Sequence, residues 1–153
     1  MASIRNHQAS EVTKLLLVGD SGSGKTASLA SLANAGYNLR ILDFDDGLAI
    51  LPAFRKSAQL LSSWKDGDED LGSVKNWTNK DVLVIDSLTL MGESALRGAL
   101  VFNNKKPTDQ ATQPEWGTAA RDVQNVIQYL TGSEVPCNVI ITSHMQYMEG
   151  DMG

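Results

Sequence analysis

The chain has 153 residues, 42% of them apolar and 20% charged, and a formal net charge of −5. That length suits a single domain with a real core, and the composition excludes disordered and fibrous classes. The charge excludes a polycation, so any nucleic-acid contact needs a local basic patch, and the lone Cys137 excludes an internal disulfide.

Met1 to Glu11 is polar and aperiodic and reads as a flexible lead-in, with His7 solvated. It lacks the apolar core of a signal peptide, and no run approaches the roughly 20 residues of a membrane span. With one cysteine beside an apolar run, a reducing, cytoplasmic setting is expected. Val12 to Val18 reads as a buried strand, a short apolar run ending in glycine as in parallel sheets.

Next comes Gly19-Asp20-Ser21-Gly22-Ser23-Gly24-Lys25-Thr26, then Ala27. It fits G-x-x-x-x-G-K-[ST] at every fixed position, between a strand and a helix. Glycines let backbone N–H groups turn inward around a phosphate with no Cβ in the way. The helix start adds unsatisfied N–H groups and the positive end of the macrodipole. Lys25 is expected to reach the β/γ-phosphates and Thr26 to ligate Mg²⁺, so Gly19 to Ala27 is the candidate triphosphate cradle.

The helix from Lys25 is expected to run to Ala35, with Gly36 as its stop. Leu39 to Phe44 reads as a second strand, and Asp43, Asp45 and Asp46 stand at its end, where doubly wound sheets bind ligands. Leu48 to Lys80 is less informative: Phe54, Ala58 and Leu61 have weak helical spacing, and Trp64 is placed over an edge of the core. Asp66-Gly67-Asp68-Glu69-Asp70 is an acidic turn, since the glycine and the closing glutamate of a calcium loop are both out of place.

Val82-Leu83-Val84-Ile85-Asp86-Ser87 is the second strong signal: an apolar strand ending in an acid, a Walker B strand with Asp86 beside the metal. Leu88 to Phe102 reads as a helix, and Asn103 to Gln113 as a polar loop carrying Lys105 and Lys106. Pro114 to Thr131 has Trp116, Ala119, Ala120, Val123, Ile127 and Leu130 at i, i+3, i+4 spacing and reads as an amphipathic helix stopped by Gly132. Asn138 to Thr142 is a fourth strand that delivers Ser143 and His144, and Met145 to Gly153 has no closing element. Strands alternating with helices imply an α/β doubly wound parallel sheet with helices on both faces, in one domain spanning the chain.

From Thr13 to Tyr147 these residues together resemble the RecA-type branch of P-loop ATPases, and the small AAA-type, RecA-like recombinase ATPases of bacteriophages in particular. In that family the second strand ends in Asp-x-Glu, and the second acid polarises the attacking water. The matching run here is Asp43-Phe44-Asp45, which gives Asp45 that role with a side chain one methylene shorter, and Asp46 as the alternative. Gly117 to Arg121 resembles the Gly-x-Ala-Ala-Arg that opens the family's next helix, so the loop before it matches a DNA-binding loop with Lys105 and Lys106. Ile141-Thr142-Ser143-His144 matches the strand whose end senses the γ-phosphate, which gives His144 the sensor role.

The resemblance implies ATP and Mg²⁺ as cofactors, single-stranded DNA as a partner, and a homo-oligomer with nucleotide at the subunit interface, in a bacterial host's cytoplasm. Under this match the chain breaks off inside a second DNA loop and leaves the P-loop strand at a sheet edge, as a truncated piece or one completed by another subunit.

Other functions stay open on the residues alone. A nucleotide-gated loader with slow hydrolysis is one, and a nucleoside or nucleotide kinase is another, although its arginine-rich lid is missing from the scattered Arg5, Arg40, Arg55, Arg97 and Arg121. A GTPase is disfavoured, because Asn79-Lys80-Asp81-Val82 and Asn104-Lys105-Lys106-Pro107 both lack the acid of the guanine-reading motif.

Overall fold

The computed structural model describes residues 11–44, 59–61 and 74–145. In chain order it contains β1 (Lys14–Gly19), α1 (Lys25–Asn34), β2 (Asn38–Asp43), β3 (Gln59–Leu61), a 3-10 turn at Val74–Asn76, β4 (Asp81–Asp86), α2 (Leu88–Phe102), α3 (Gln113–Thr131) and β5 (Asn138–His144). The five strands form one sheet in the order β1-β5-β4-β2-β3, and every pair is parallel.

Strand β4 lies at the centre, and Val82 to Asp86 are all buried, which is why it reads as an unbroken apolar run rather than an alternating one. The sheet separates two cores. On one face Leu39, Ile41, Val82, Val84 and Ile140 pack against Leu29 of α1. On the other, Leu42, Leu83, Ile85, Val139 and Ile141 pack against Met91 of α2 and Leu130 of α3. Helices on both faces match the expectation. Cys137 is fully buried in the second core, and burial pushes its thiol pKa up, as befits a small packed side chain.

Three features depart from the sequence reading. Gln59 to Leu61 is a strand paired with β2, where the spacing of Phe54, Ala58 and Leu61 pointed weakly to a helix. Three residues hold less than one helical turn, so they carry no periodicity of either kind. Phe54, Ala58, Trp64 and the acidic run Asp66 to Asp70 lie outside the described residues. Trp116, expected on the buried stripe of α3, is 59% exposed. The stripe faces the groove between α2 and α3, and only its inner members Ala119 and Leu130 are buried.

Strand β1 pairs with β5 alone and forms one edge of the described sheet, as expected. The third departure is in β1 itself: the run read as a buried strand leaves Leu15, Leu16 and Val18 43%, 54% and 55% exposed, because an edge strand has a neighbour on one side only. No described helix is long and apolar enough to cross a membrane.

Because all strands are parallel, their C-terminal ends share one edge. Gly19 is in register with His144, and Asp43 with Asp86. The motifs noted in the sequence therefore converge along a single line where the sheet ends.

Candidate nucleotide-binding site

The turn between β1 and α1 has the backbone features of an anion site. Gly24 forms the N-cap of α1 with φ 84, a left-handed backbone that glycine adopts without strain. No side chain caps this helix start, so the first-turn N–H groups point out of the turn without intrahelical partners. At Gly19 a Cβ would stand 2.8 Å from Ser23 Oγ, so the serine hydroxyl would have to turn away to admit one.

Lys25 Nζ folds back over this turn and donates to the carbonyl oxygens of Gly19 and Asp20, both at 2.7 Å, and to Ser23 Oγ at 3.4 Å. Among the described residues no carboxylate pairs with it. An ammonium held by neutral oxygens alone keeps its charge available to a phosphate.

Thr26 Oγ1 donates to Asp86 Oδ2 at 2.6 Å, a bond between residues 60 positions apart. It joins the glycine-rich turn to the end of β4. The other carboxylate oxygen, Oδ1, accepts from Thr142 Oγ1 at 2.5 Å. Asp86 is 2% exposed, and among the described residues no ammonium or guanidinium pairs with it. Asp43, also buried, stands in register with it on the neighbouring strand, and the Phe44 N–H donates to the Asp86 carbonyl at 2.7 Å.

Buried carboxylates side by side are costly unless a cation or several donors face them. A divalent metal beside Thr26 and Asp86 fits this donor set, hard oxygens next to a phosphate cradle.

His144 ends β5 beside the turn: its N–H donates to Thr89 Oγ1 at 3.3 Å, and the next residue, Met145, donates its N–H to the Gly19 carbonyl at 3.3 Å. Its backbone thus touches both the phosphate turn and the start of α2. Asp45 and Asp46 lie outside the described residues.

The two lysines of the α2–α3 loop have different situations. Lys105 Nζ donates to Glu115 Oε1 at 2.8 Å, and Asn103 Nδ2 donates to the same oxygen at 2.8 Å. Glu115 is 2% exposed, and its Oε2 accepts the Thr112 N–H at 2.8 Å and the Thr112 hydroxyl. Lys105, followed by Thr112 and Asn103, holds the Glu115 carboxyl well below the usual carboxylate range. Lys105 therefore pins the loop to the first turn of α3. Of the two lysines expected where DNA could pass, Lys105 is thus ion-paired within the chain, and removing it would leave a buried carboxylate without its cation. Lys106 is exposed, and the interaction described for it is its backbone N–H to Asp109 Oδ2 at 2.8 Å.

The hydrogen-bonding roles of two residues of this geometry escaped the sequence reading. Thr142 interrupts an apolar strand one turn of the pleat before His144, and alternation puts it on the same face as Ile140, toward α1. That signal becomes specific only once β5 is known to lie between β1 and β4. Glu115 is foreshadowed by Thr112-x-x-Glu115, a capping box, which the sequence shows and which the structure contains.

Comparisons with known proteins agree with this fold. No curated protein matches the sequence. Among solved structures, the fold is similar to a prototypical ATPase from the type III secretion system of pathogenic bacteria, with TM-score 0.64, 11% identity, and coverage of 90% of this chain and 46% of that one. It is also similar to the monomer form of the pCW3 conjugation coupling protein TcpA with ATPgS, with TM-score 0.54, 16% identity, and coverage of 85% and 42%. The RadB recombinase is a third, with TM-score 0.50, 17% identity, and coverage of 94% and 66%. The chain thus spans less than two thirds of each of these proteins. At such identities the likeness is one of fold. The family described as an AAA domain matches residues 11–151, nearly the whole sequence, and the chain belongs to that family of P-loop ATPases.

Proposed function

We propose that this chain is a Mg²⁺-dependent ATPase that couples hydrolysis to work on single-stranded DNA in phage recombination or replication, inside a bacterial host. The observation that carries the reading is the 2.6 Å bond from Thr26 to Asp86, which unites the two nucleotide motifs in one place. Nucleotide binding exchanges the loop oxygens around Lys25 for phosphate oxygens, and the uncapped start of α1 receives the β-phosphate. Thr26 and Asp86 would hold Mg²⁺, which supplies positive charge beside the transferring phosphoryl group when bound.

Asp45, two residues beyond the buried Asp43, takes the proton of the attacking water. Water oxygen bonds to the γ-phosphorus, the bond to the bridging oxygen breaks, and ADP and phosphate leave. His144 is the γ-phosphate sensor, supported by its backbone position between Gly19 and Thr89. Lys106 is the loop cation offered to DNA, while Lys105 holds the loop in shape. The DNA partner rests on the resemblance read from the sequence. A homo-oligomer with nucleotide at the subunit interface completes the reading.

The test is an ATP-hydrolysis assay with and without single-stranded DNA, with the Lys25→Ala variant alongside. Hydrolysis stimulated by DNA and abolished in the variant is expected. Equal ATP affinity of wild type and variant by titration calorimetry would remove the phosphate site. Hydrolysis indifferent to DNA, with a salt dependence of DNA binding unchanged by Lys106→Ala, would remove the DNA partner; the expected change in slope is about 0.7 for one contact.

A further inference from the structure

Thr142 has no role in the reading above, yet its hydroxyl is the donor nearest to Asp86. It is fully buried, with 0% exposure, and Oγ1 lies 2.5 Å from Asp86 Oδ1 and 3.3 Å from the Ile85 carbonyl oxygen. A hydroxyl carries one proton, and the shorter, charge-assisted contact takes it. Asp86 is thus gripped at both ends: Thr142 on Oδ1 and Thr26 on Oδ2. The two grips differ. Thr26 belongs to the phosphate turn at the first residues of α1, whereas Thr142 sits in β5 between β1 and β4.

A carboxylate on a strand end rotates about its Cβ–Cγ bond unless one oxygen is fixed, because that terminal torsion is broad. With Oδ1 held by the sheet, Oδ2 faces Thr26 and the phosphate turn. We infer that Thr142 is a positioning residue for the divalent cation: it fixes the Asp86 carboxylate so that Oδ2 is presented beside the Thr26 hydroxyl. This inference rests on the nucleotide-site reading of Thr26 and Asp86. The residue acts on the metal through Asp86, as hydrogen-bonding partners of metal-binding carboxylates do, where removal typically costs about 10–100-fold in affinity.

The test compares Thr142→Val, which keeps the shape and removes the hydroxyl, Thr142→Ala, which removes it with less bulk, and Thr142→Ser, which restores it. Mn²⁺ replaces Mg²⁺ and is followed by electron paramagnetic resonance in the presence of a non-hydrolysable ATP analogue. Affinity for a fluorescent ATP analogue is measured separately in EDTA, and urea unfolding reports the fold. The expected result is a Mn²⁺ affinity about 10–100-fold weaker in Val and Ala, near wild type in Ser, with metal-free nucleotide affinity unchanged in all.

Wild-type Mn²⁺ affinity in a folded Val or Ala variant overturns the inference alone. So does an equal loss of metal-free nucleotide affinity, which would make Thr142 a packing residue. A wild-type protein that binds no nucleotide overturns the site reading, and this inference with it.

Discussion

At the scale of single residues, the site depends on groups whose charge is kept available rather than neutralised. Lys25 is held by oxygens of the turn, and Asp86 by two hydroxyls, so neither is matched by an opposite charge among the described residues. Such an arrangement costs stability in the empty protein and is relieved by an anion and a cation together. Nucleotide with metal is accordingly expected to stabilise the fold more than either alone. The general-base proposal for Asp45 has its own consequence. Asp45→Asn should bind ATP and metal near normally and hydrolyse about 10²–10⁴-fold more slowly. Single-turnover hydrolysis beside calorimetric binding checks this, and wild-type turnover in the variant would shift the role to Asp46.

At the scale of elements, α3 is anchored at its start by a network that also shapes the loop before it. The chain leaves α2 through Asn104, whose φ of 58 is left-handed, and returns at Thr112, the N-cap of α3. Glu115 ties both ends together through Lys105, Asn103 and Thr112. Its folded pKa is depressed, so its stabilisation is fully present above the ordinary value of 4.5 and is lost as pH falls below it toward the lower folded value. Below that pH the unfolded chain takes up a proton that the folded chain refuses. The urea midpoint of wild type is therefore expected to fall between about pH 5 and pH 3 more steeply than that of Glu115→Gln. Parallel curves would show that the network contributes nothing through its charge. Glu115→Gln should also be less stable than wild type near neutral pH, since the amide places an N–H₂ where Lys105 or the Thr112 donors need an oxygen.

At the scale of the whole molecule, stability is distributed unevenly across the sheet. Ile85 on the central strand is fully buried in the core beneath α2 and α3, whereas Leu16 and Val18 on the edge strand are about half exposed. Ile85→Ala is expected to cost about 2–5 kcal/mol. Leu16→Ser and Val18→Ser should each cost under about 1 kcal/mol, because the chain removes little of their surface from water. Urea unfolding of the three variants checks the ranking. A cost at Leu16 comparable to that at Ile85 would mean that the edge is covered in solution.

How much of this was legible in the sequence follows from the range of the interactions involved. The glycine-rich turn, its flanking strand and helix, and the Asp86 strand depend on neighbours within about 10 positions, so local pattern specified them. Parallel topology was legible for the same reason: β4 is apolar on both faces, α1 separates β1 from β2, and α2 and α3 separate β4 from β5. The boundaries of α1, α2 and α3 came within two residues because Gly36, Ser87, Pro114 and Gly132 end or begin helices by their own backbone chemistry.

The partners of a carboxylate are another matter. Thr26 and Thr142 lie 60 and 56 positions from Asp86, and no local rule names them. Nothing local to Lys105 names Glu115, which α3 brings under it, and Trp116 looked buried until the helix turned that part of its stripe to an open groove. By itself the sequence determined which motifs the chain carries, because a glycine-rich turn between strand and helix is a local arrangement of backbone. Only the tertiary structure decided which side chains hold those motifs in place, because burial and hydrogen bonding are made between elements and not within them.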